Sequence, residues 1–275
     1  MKREKPMSVQ RIITALAFGW VVVCAGAAVL APVVCGYDPA AIDIGNILQP
    51  PSAAHWLGTD QLGRDVLARL VYGARVSLIV GFVSVGISVT LGVLVGLAAG
   101  YFGGWTDRAL SGAIDLMLCF PTFFLILAVV AAVDKPGIWP ILVILGLTGW
   151  MGTARLVRAE VMSLREREYV MAARVIGASE LRVLFRHILP NALSPVWVSA
   201  TLGVAGAILT ESGLSFLGIG VQPPSPSWGN MLGDGRLTIG AAWWMAFFPG
   251  TAILFTVLAY NYLGESLKNR MEDRR

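Results

Sequence analysis

The chain has 275 residues, 56% of them hydrophobic and 14% charged, with a mean hydropathy of +0.71 and a net charge of +4. A soluble domain carries about 25% charged residues, so this composition excludes an ordinary soluble fold and specifies a polytopic membrane protein. The positive charge is explained by topology and calls for no nucleic-acid partner.

Apolar runs long enough to cross a bilayer core predict six spans, over Ile12–Val34, Val76–Ala99, Leu110–Val133, Ile138–Leu156, Leu193–Leu209 and Ala241–Leu263. With the N-terminus inside, the cytoplasmic pieces hold Lys2, Arg3, Lys5, Arg11, Arg108, Arg155, Arg158, Arg165, Arg167, Arg174, Arg182, Arg186, Lys268, Arg270, Arg274 and Arg275. Only Arg64, Arg69, Arg75, Lys135 and Arg236 fall outside. That asymmetry follows the positive-inside rule and places both termini in the cytoplasm. The first apolar run exceeds a signal-peptide core, so it reads as an uncleaved span.

The loop after the first span is broken by Pro50-Pro51. From Thr59 helix signals return: Asp60 stands four before Arg64 and Asp65 four before Arg69, with Leu62, Val66, Leu70 and Gly73 repeating at helical spacing. A short amphipathic helix at the outer interface is expected, either a plain solvated helix or one with a gating or docking role. The second span carries Ser84, Ser88, Gly92, Gly96 and Gly100 on one stripe, suited to close helix packing or to lining a path. In the third span Pro121 is expected to kink the helix, and Asp115 to pair with Arg108 two turns away.

After the fourth span comes a polar interruption, EYVMAARVIGASELRVLFRHILPNALSPV, beginning at Glu168. Ser163 to Glu166 matches a capping box that would start a helix. Tyr169, Ala172, Ala173 and Ile176 then share a helical face, Gly177 closes the helix, and Ser179 restarts it. Leu181, Leu184, Phe185, Ile188 and Leu189 form a second apolar face with Arg182 and Arg186 turned away, and Pro190 stops it. Two short helices around a bend can rest on lipid or dock into a groove on another protein.

The fifth span runs into TESGLSFLGIGVQPPSPSWGNMLGDG, where Glu211 lies near the outer end of an apolar helix and Pro223, Pro224 and Pro226 make a stiff turn. An intramembrane carboxylate is a functional candidate by its cost alone, so Glu211, Ser215 and Phe216 are the candidate pathway or gate residues. Gly213-Leu214-Ser215 has the G-x-S form of a hydrolase nucleophile, but such chemistry needs a base. His187 lies a membrane thickness away, and His55 sits in the outer loop with no orienting signal. Cys24, Cys35 and Cys119 lack CxxC spacing and read as packing residues, and two histidines leave no metal cage. None of the four lysines follows a glycine, so the chain has no P-loop.

Met171-Ala172-Ala173, then Gly177, then Ile188-Leu189-Pro190, resembles the EAA loop of binding-protein-dependent ABC importer permeases. LGTDQLGRDVLARLVYGARVSL, AGYFGGWTDR and ESGLSFLGIGVQPPSPSWGNML resemble the C-type permease of the dipeptide, oligopeptide and nickel subfamily, so the likeness covers the chain from the first loop onward. The resemblance implies an all-α permease of type I importer architecture in the bacterial inner membrane. Residues 1–75 would form an N-terminal segment, and residues 76–275 a five-span core with the coupling segment at 160–190. It implies a non-catalytic subunit paired with a second permease, two ATPase subunits carrying ATP and magnesium, and an external solute-binding protein, with no cofactor on this chain. Glu168, Met171, Ala172, Ala173, Gly177, Ala178, Leu181, Phe185, Ile188 and Pro190 would meet the ATPase. Peptides are the implied cargo, ahead of nickel complexes, glutathione-like compounds and oligosaccharides. The motif's first glutamate is Met171 here, so packing contacts carry more of the docking, or Glu168 or Glu180 substitutes. A channel or secondary transporter working without an ATPase would leave the coupling segment unexplained.

Overall fold

A computed structural model of the chain describes residues 7–132 and 137–272, in which every regular element is helical. Lys2, Arg3, Lys5, Lys135, Arg274 and Arg275, and the end of the expected third span at Val133, lie outside the described residues. Four helices are long and apolar enough to cross a membrane: α1 (Met7–Val34), α2 (Val66–Phe102), α5 (Ile138–Arg165) and α11 (Trp244–Glu272). Two further helix pairs reach that length and apolarity only when joined across a bend. Helices α3 (Gly104–Leu118) and α4 (Thr122–Ala131) meet at 80°, and residues Glu180–Ala192 meet α9 (Ser194–Phe216) at 49°. Counting each bent pair once gives the six expected crossings.

The third span is therefore broken outright and not merely kinked. Pro121 disfavours helical geometry at Phe120 and takes the cap position of α4 (φ −58°, ψ 118°), so the chain leaves α3 and restarts in a new direction. Asp115 does not pair with Arg108. It faces Arg155 on α5, one helix turn from the contact between Asp107 and Arg158 (Oδ2 to Nη2, 2.7 Å), so the two α3 carboxylates both tie that helix to α5.

Helix α2 has 37 residues and a length of about 55 Å, well beyond a bilayer core of about 30 Å. Both of its ends therefore project from the apolar layer. The residue-75 domain boundary falls inside it, as does most of the expected outer amphipathic helix: Val66, Leu70 and Gly73 belong to the first turns of α2, and residues 59–65 form its approach. Asp65 is the cap, its side chain accepting from the Ala68 amide at 2.7 Å and contacting His55 Nδ1 at 2.9 Å. It does not pair with Arg69. That arginine turns instead to Asp60, which also accepts from Arg64 Nε (2.7 Å) and from the Leu62 and Arg64 amides. Arg69 reaches Asp234 on α10 (Trp228–Arg236) at 3.0 Å, so a buried charge cluster ties the loop to a distant helix.

The long seam of the bundle is α2 against α5. Gly92 and Gly96 present bare backbone to Thr153 and Val157. A Cβ would lie 2.6 Å from the Thr153 Cβ at Gly92 and 2.8 Å from the Val157 Cβ at Gly96. In lipid, where the solvent supplies no hydrophobic drive, such close approach is what holds helices together. Gly96→Leu is expected to shorten the thermal inactivation half-life of the detergent-solubilised protein, the overpacking costing about 1–3 kcal/mol; an unchanged half-life would remove the seam from this role.

Candidate functional site

Two places could carry function: the helical segment between α5 and α9, and a cavity bounded by α2, α4, α5 and α9.

In the first, α5 runs on to Arg165, so Ser163 lies inside that helix and the expected capping box starts nothing. After a turn at Glu166-Arg167, α6 (Glu168–Val175) begins with Arg167 in extended geometry as its cap and Glu168 in its first turn. The end of α6 is a Schellman closure. Gly177 has φ +86°, its amide donates to the Arg174 carbonyl (3.0 Å), and the Ala178 amide donates to the Ala173 carbonyl (3.0 Å). Ser179 is extended and precedes α7 (Glu180–Arg182), though its hydroxyl makes no capping bond. A π-helical stretch, Val183–Ile188, leads into α8 (Leu189–Ala192). Pro190 therefore does not stop the helix. It sits in the first turn of α8, where a missing amide costs little.

Neither expected apolar face survives as a unit. Of Tyr169, Ala172, Ala173 and Ile176 only Ala173 is buried; the inward stripe of α6 is Val170 and Ala173. Of the second set Leu184 and Ile188 turn inward with Val183, while Leu181 and Phe185 face out. The inward residues pack on Leu97 and Tyr101 of α2 and on Val157 and Val161 of α5. Ile188, fully buried, and Ala173 are thus anchors and are not available as partner contacts. Ala178 is partly packed against the same cluster, and Glu168, Ala172 and Pro190 are exposed. Facing outward are Met171, Val175 (87% exposed), Ile176 (84%), Leu181 (69%) and Phe185 (56%), an apolar patch on an otherwise charged protrusion. Glu180 receives the Tyr101 hydroxyl from α2 and lies 3.6 Å from Arg174, bracing both helices internally. An open crevice of about 1,100 Å³ lies beside α6, walled by Glu160, Glu166, Glu168 and Tyr169 with Met271 of α11.

The second place is a cavity of about 260 Å³. Ser84, Ser88, Thr122, Thr148, Thr153, Ser199 and Thr210 supply its hydroxyls, and Gly149, Gly152, Gly203 and Gly206 its bare stretches. On α9 residues 199, 203, 206 and 210 recur at helical spacing, a stripe of small residues that sequence reasoning passed over. Glu211, Ser215 and Phe216 are not among the lining residues. Glu211 is fully buried, its Oε1 accepting from Ser215 (2.6 Å) and Ser227 (2.8 Å), which ties α9 to the start of α10. Ser215 also accepts from the Val221 amide at 3.0 Å, and neither histidine is among its partners. Phe216 lies under the Arg236 guanidinium, 5.0 Å from its ring centre.

The family model described as binding-protein-dependent transport system inner membrane component matches residues 92–274. The dipeptide transport system permease protein DppC of Alkalihalophilus pseudofirmus is 44% identical over 247 residues, which cover 90% of this chain and 81% of that protein. The di/tripeptide transport system permease protein DppC of Pseudomonas aeruginosa is 42% identical, covering 90% and 83%. The oligopeptide transport system permease protein OppC of Bacillus subtilis is 36% identical, covering 90% and 81%. Among solved structures, a chain of the MetNI methionine ABC transporter in an inward-facing conformation superposes with a TM-score of 0.57 at 20% identity, over 72% of this chain and 94% of that one. A chain of an amino acid ABC transporter solved with histidines gives 0.57 at 14%, over 74% and 94%. At such identities these two report a shared fold.

Proposed function

The chain belongs to the family of binding-protein-dependent transport system inner membrane components, and we propose that it is the C-type permease subunit of an ATP-driven importer of peptides. A second permease completes the path, two ATPase subunits carry ATP and magnesium, and an extracytoplasmic solute-binding protein delivers the cargo. The names of the curated relatives support peptides as that cargo. The excess of basic residues on the pieces joined to α6–α8 supports a cytoplasmic position for that segment and for both termini.

The observation that carries the coupling role is the two-sided build of residues 168–192. Met171, Val175, Ile176, Leu181 and Phe185 offer an exposed apolar surface, while Val170, Val183 and Ile188 are clamped to the ends of α2 and α5. Solvent-exposed apolar clusters of this kind fit a helix-in-groove contact. When ATP closes the ATPase pair, the push enters through the outward residues and leaves through the inward ones into α2 and α5, two of the four helices that wall the cavity. Met171, standing where the family motif has a glutamate, joins the patch as an apolar contact. ATP shifts the balance of inward- and outward-open states because the ATPase subunits bind it differently in each.

Phe185→Asp tests this. The variant is expected to purify with its permease partner but with at least about thirtyfold weaker ATPase retention, as for loss of an interface anchor contributing about 2 kcal/mol. Full ATPase stoichiometry in detergent would sink the docking assignment.

A further inference from the structure

The glycines of the bundle differ in what an added Cβ would meet. At Gly92, Gly96 and Gly146 an added Cβ would run into a neighbouring helix, so close packing explains the residue. At Gly152 and Gly206, both on the cavity wall, an added Cβ would meet nothing within 4 Å. Glycine inside a helix costs roughly 0.5–1 kcal/mol relative to alanine, and no packing contact offsets that cost at these two positions. What their bareness preserves is the open space beside them.

The remaining wall is chemically uniform. No charged side chain lines the cavity, and its polar groups are hydroxyls. Thr148 and Thr210 return theirs to the carbonyls of Ile144 and Gly206, each at 2.8 Å. Thr153 does not. It is 7% exposed, its carbon atoms pack toward Gly92, and its hydroxyl has no hydrogen-bond partner among the described residues. The oxygen itself stays accessible and is left for something that enters the cavity. The volume of about 260 Å³ also falls below the range of about 300–1,000 Å³ for complete small-molecule sites, which fits a half-path closed by a second subunit.

We propose that Gly152 and Gly206 set the width of the transport path through this subunit, and that Thr153, with Ser88 and Ser199, offers neutral hydroxyls to the main chain of a passing peptide. The proposal rests on the peptide-import reading above. A hydroxyl both donates and accepts, so it meets an amide N–H or a carbonyl equally. A wall without charge neither traps nor repels the two charged ends of a short peptide, nor its side chains of either sign. Passage requires that binding along the way be weak enough to release, and isolated hydroxyls satisfy that condition where fixed charges would not. The size of the peptide is then the property this subunit screens.

The test uses the complete transporter with all its subunits, reconstituted in vesicles and supplied with radiolabelled dialanine or tetra-alanine. Gly206→Leu and Gly152→Leu are expected to lower tetra-alanine uptake by about tenfold more than dialanine uptake, the selectivity that about 1.4 kcal/mol confers. Gly86→Leu, also in open space but off the cavity, should leave both unchanged. Should a leucine variant fail to assemble, Gly206→Ala keeps the question answerable through a smaller loss of the same sign. Equal losses for both peptides, or none, would overturn the width assignment. Thr153→Val should raise the KM for both peptides while Thr153→Ser restores it; equal KM values in the two variants would remove Thr153 from the path. If the wild-type transporter takes up neither peptide, the peptide reading fails, and labelling then judges the path by itself. In a background with Cys24→Ala, Cys35→Ala and Cys119→Ala, Gly206→Cys and Gly152→Cys should react with a membrane-impermeant maleimide. Two unreactive cysteines would overturn the path as well.

Discussion

Gly177→Val is expected to cut ATP-driven uptake sharply while leaving the protein inserted and assembled. The glycine has φ +86°, and its conformation allows the closure in which the Ala178 amide reaches the Ala173 carbonyl. A β-branched residue held there is strained by about 1–3 kcal/mol, and the cheapest relief is to open the turn and re-aim the helix that follows. No atom lies within 4 Å of where its Cβ would project, so the substitution acts on backbone direction alone. Ile176 and Leu181, which flank the turn and face outward, would no longer present one surface. A loss of about 5- to 150-fold in coupled transport corresponds to that strain. Gly177→Asn, which tolerates left-handed geometry better, should recover most of it. Unchanged uptake together with unchanged stimulation of ATP hydrolysis in the valine variant would overturn the coupling role.

Asp60→Ala carries the largest expected loss of stability. Asp60 is 1% exposed and accepts from Arg64 and Arg69, of which Arg69 is itself only 4% exposed. Removing it strands two guanidinium groups in a site that water scarcely reaches, which costs about 3–5 kcal/mol for a buried pair broken on one side. Asp234, 39% exposed, stays 3.0 Å from Arg69 and 3.7 Å from Arg64 as a remaining partner and moderates the loss. Because membrane proteins unfold irreversibly, the measurement is an inactivation half-life at fixed temperature, and Asp60→Asn should fall between the variant and the wild type. A half-life within twofold of wild type would mean the cluster is not structural.

The same residues show how far the sequence could be read. Spacing placed Asp60 four before Arg64 and Asp65 four before Arg69, which on a surface helix amounts to a few tenths of a kcal/mol per pair. One pair formed, the other exchanged partners, and burial changed the magnitude of both, since burial depends on chain segments 165 residues away at Asp234. The crossings were legible because length and hydropathy are local properties. The break at Pro121 was legible as a bend but not in its extent. In residues 168–192 the helices and the glycine turn were readable, whereas the facing of each side chain was not. Both sides of these helices are apolar, one for α2 and α5 and one turned outward, and periodicity gives a repeat without a direction. Glu211 drew notice by its cost; Ser215 and Ser227 satisfy its Oε1, while Oε2 is buried without a hydrogen-bond partner. On the cavity wall, Ser84 and Ser88 stood on the stripe singled out in the second span, whereas Gly152, Ser199 and Gly206 are small and common in membrane helices, so nothing marked them.

The uninterrupted run of α2 has a mechanical consequence. One end carries the Asp65 cap and the arginine cluster, the other meets Glu180 through Tyr101, and no break divides the 37 residues between them. Such a rod is a lever arm: over about 55 Å, a tilt of only about 5° sweeps its far end through about 5 Å. Just past its last residue, Gly103 (φ +63°) and Gly104 (φ +56°) take the left-handed backbone that turns the chain into α3. On the proposed coupling, a nudge at the residue-102 end tilts the whole helix and reaches its residue-66 end with no relay of side chains in between.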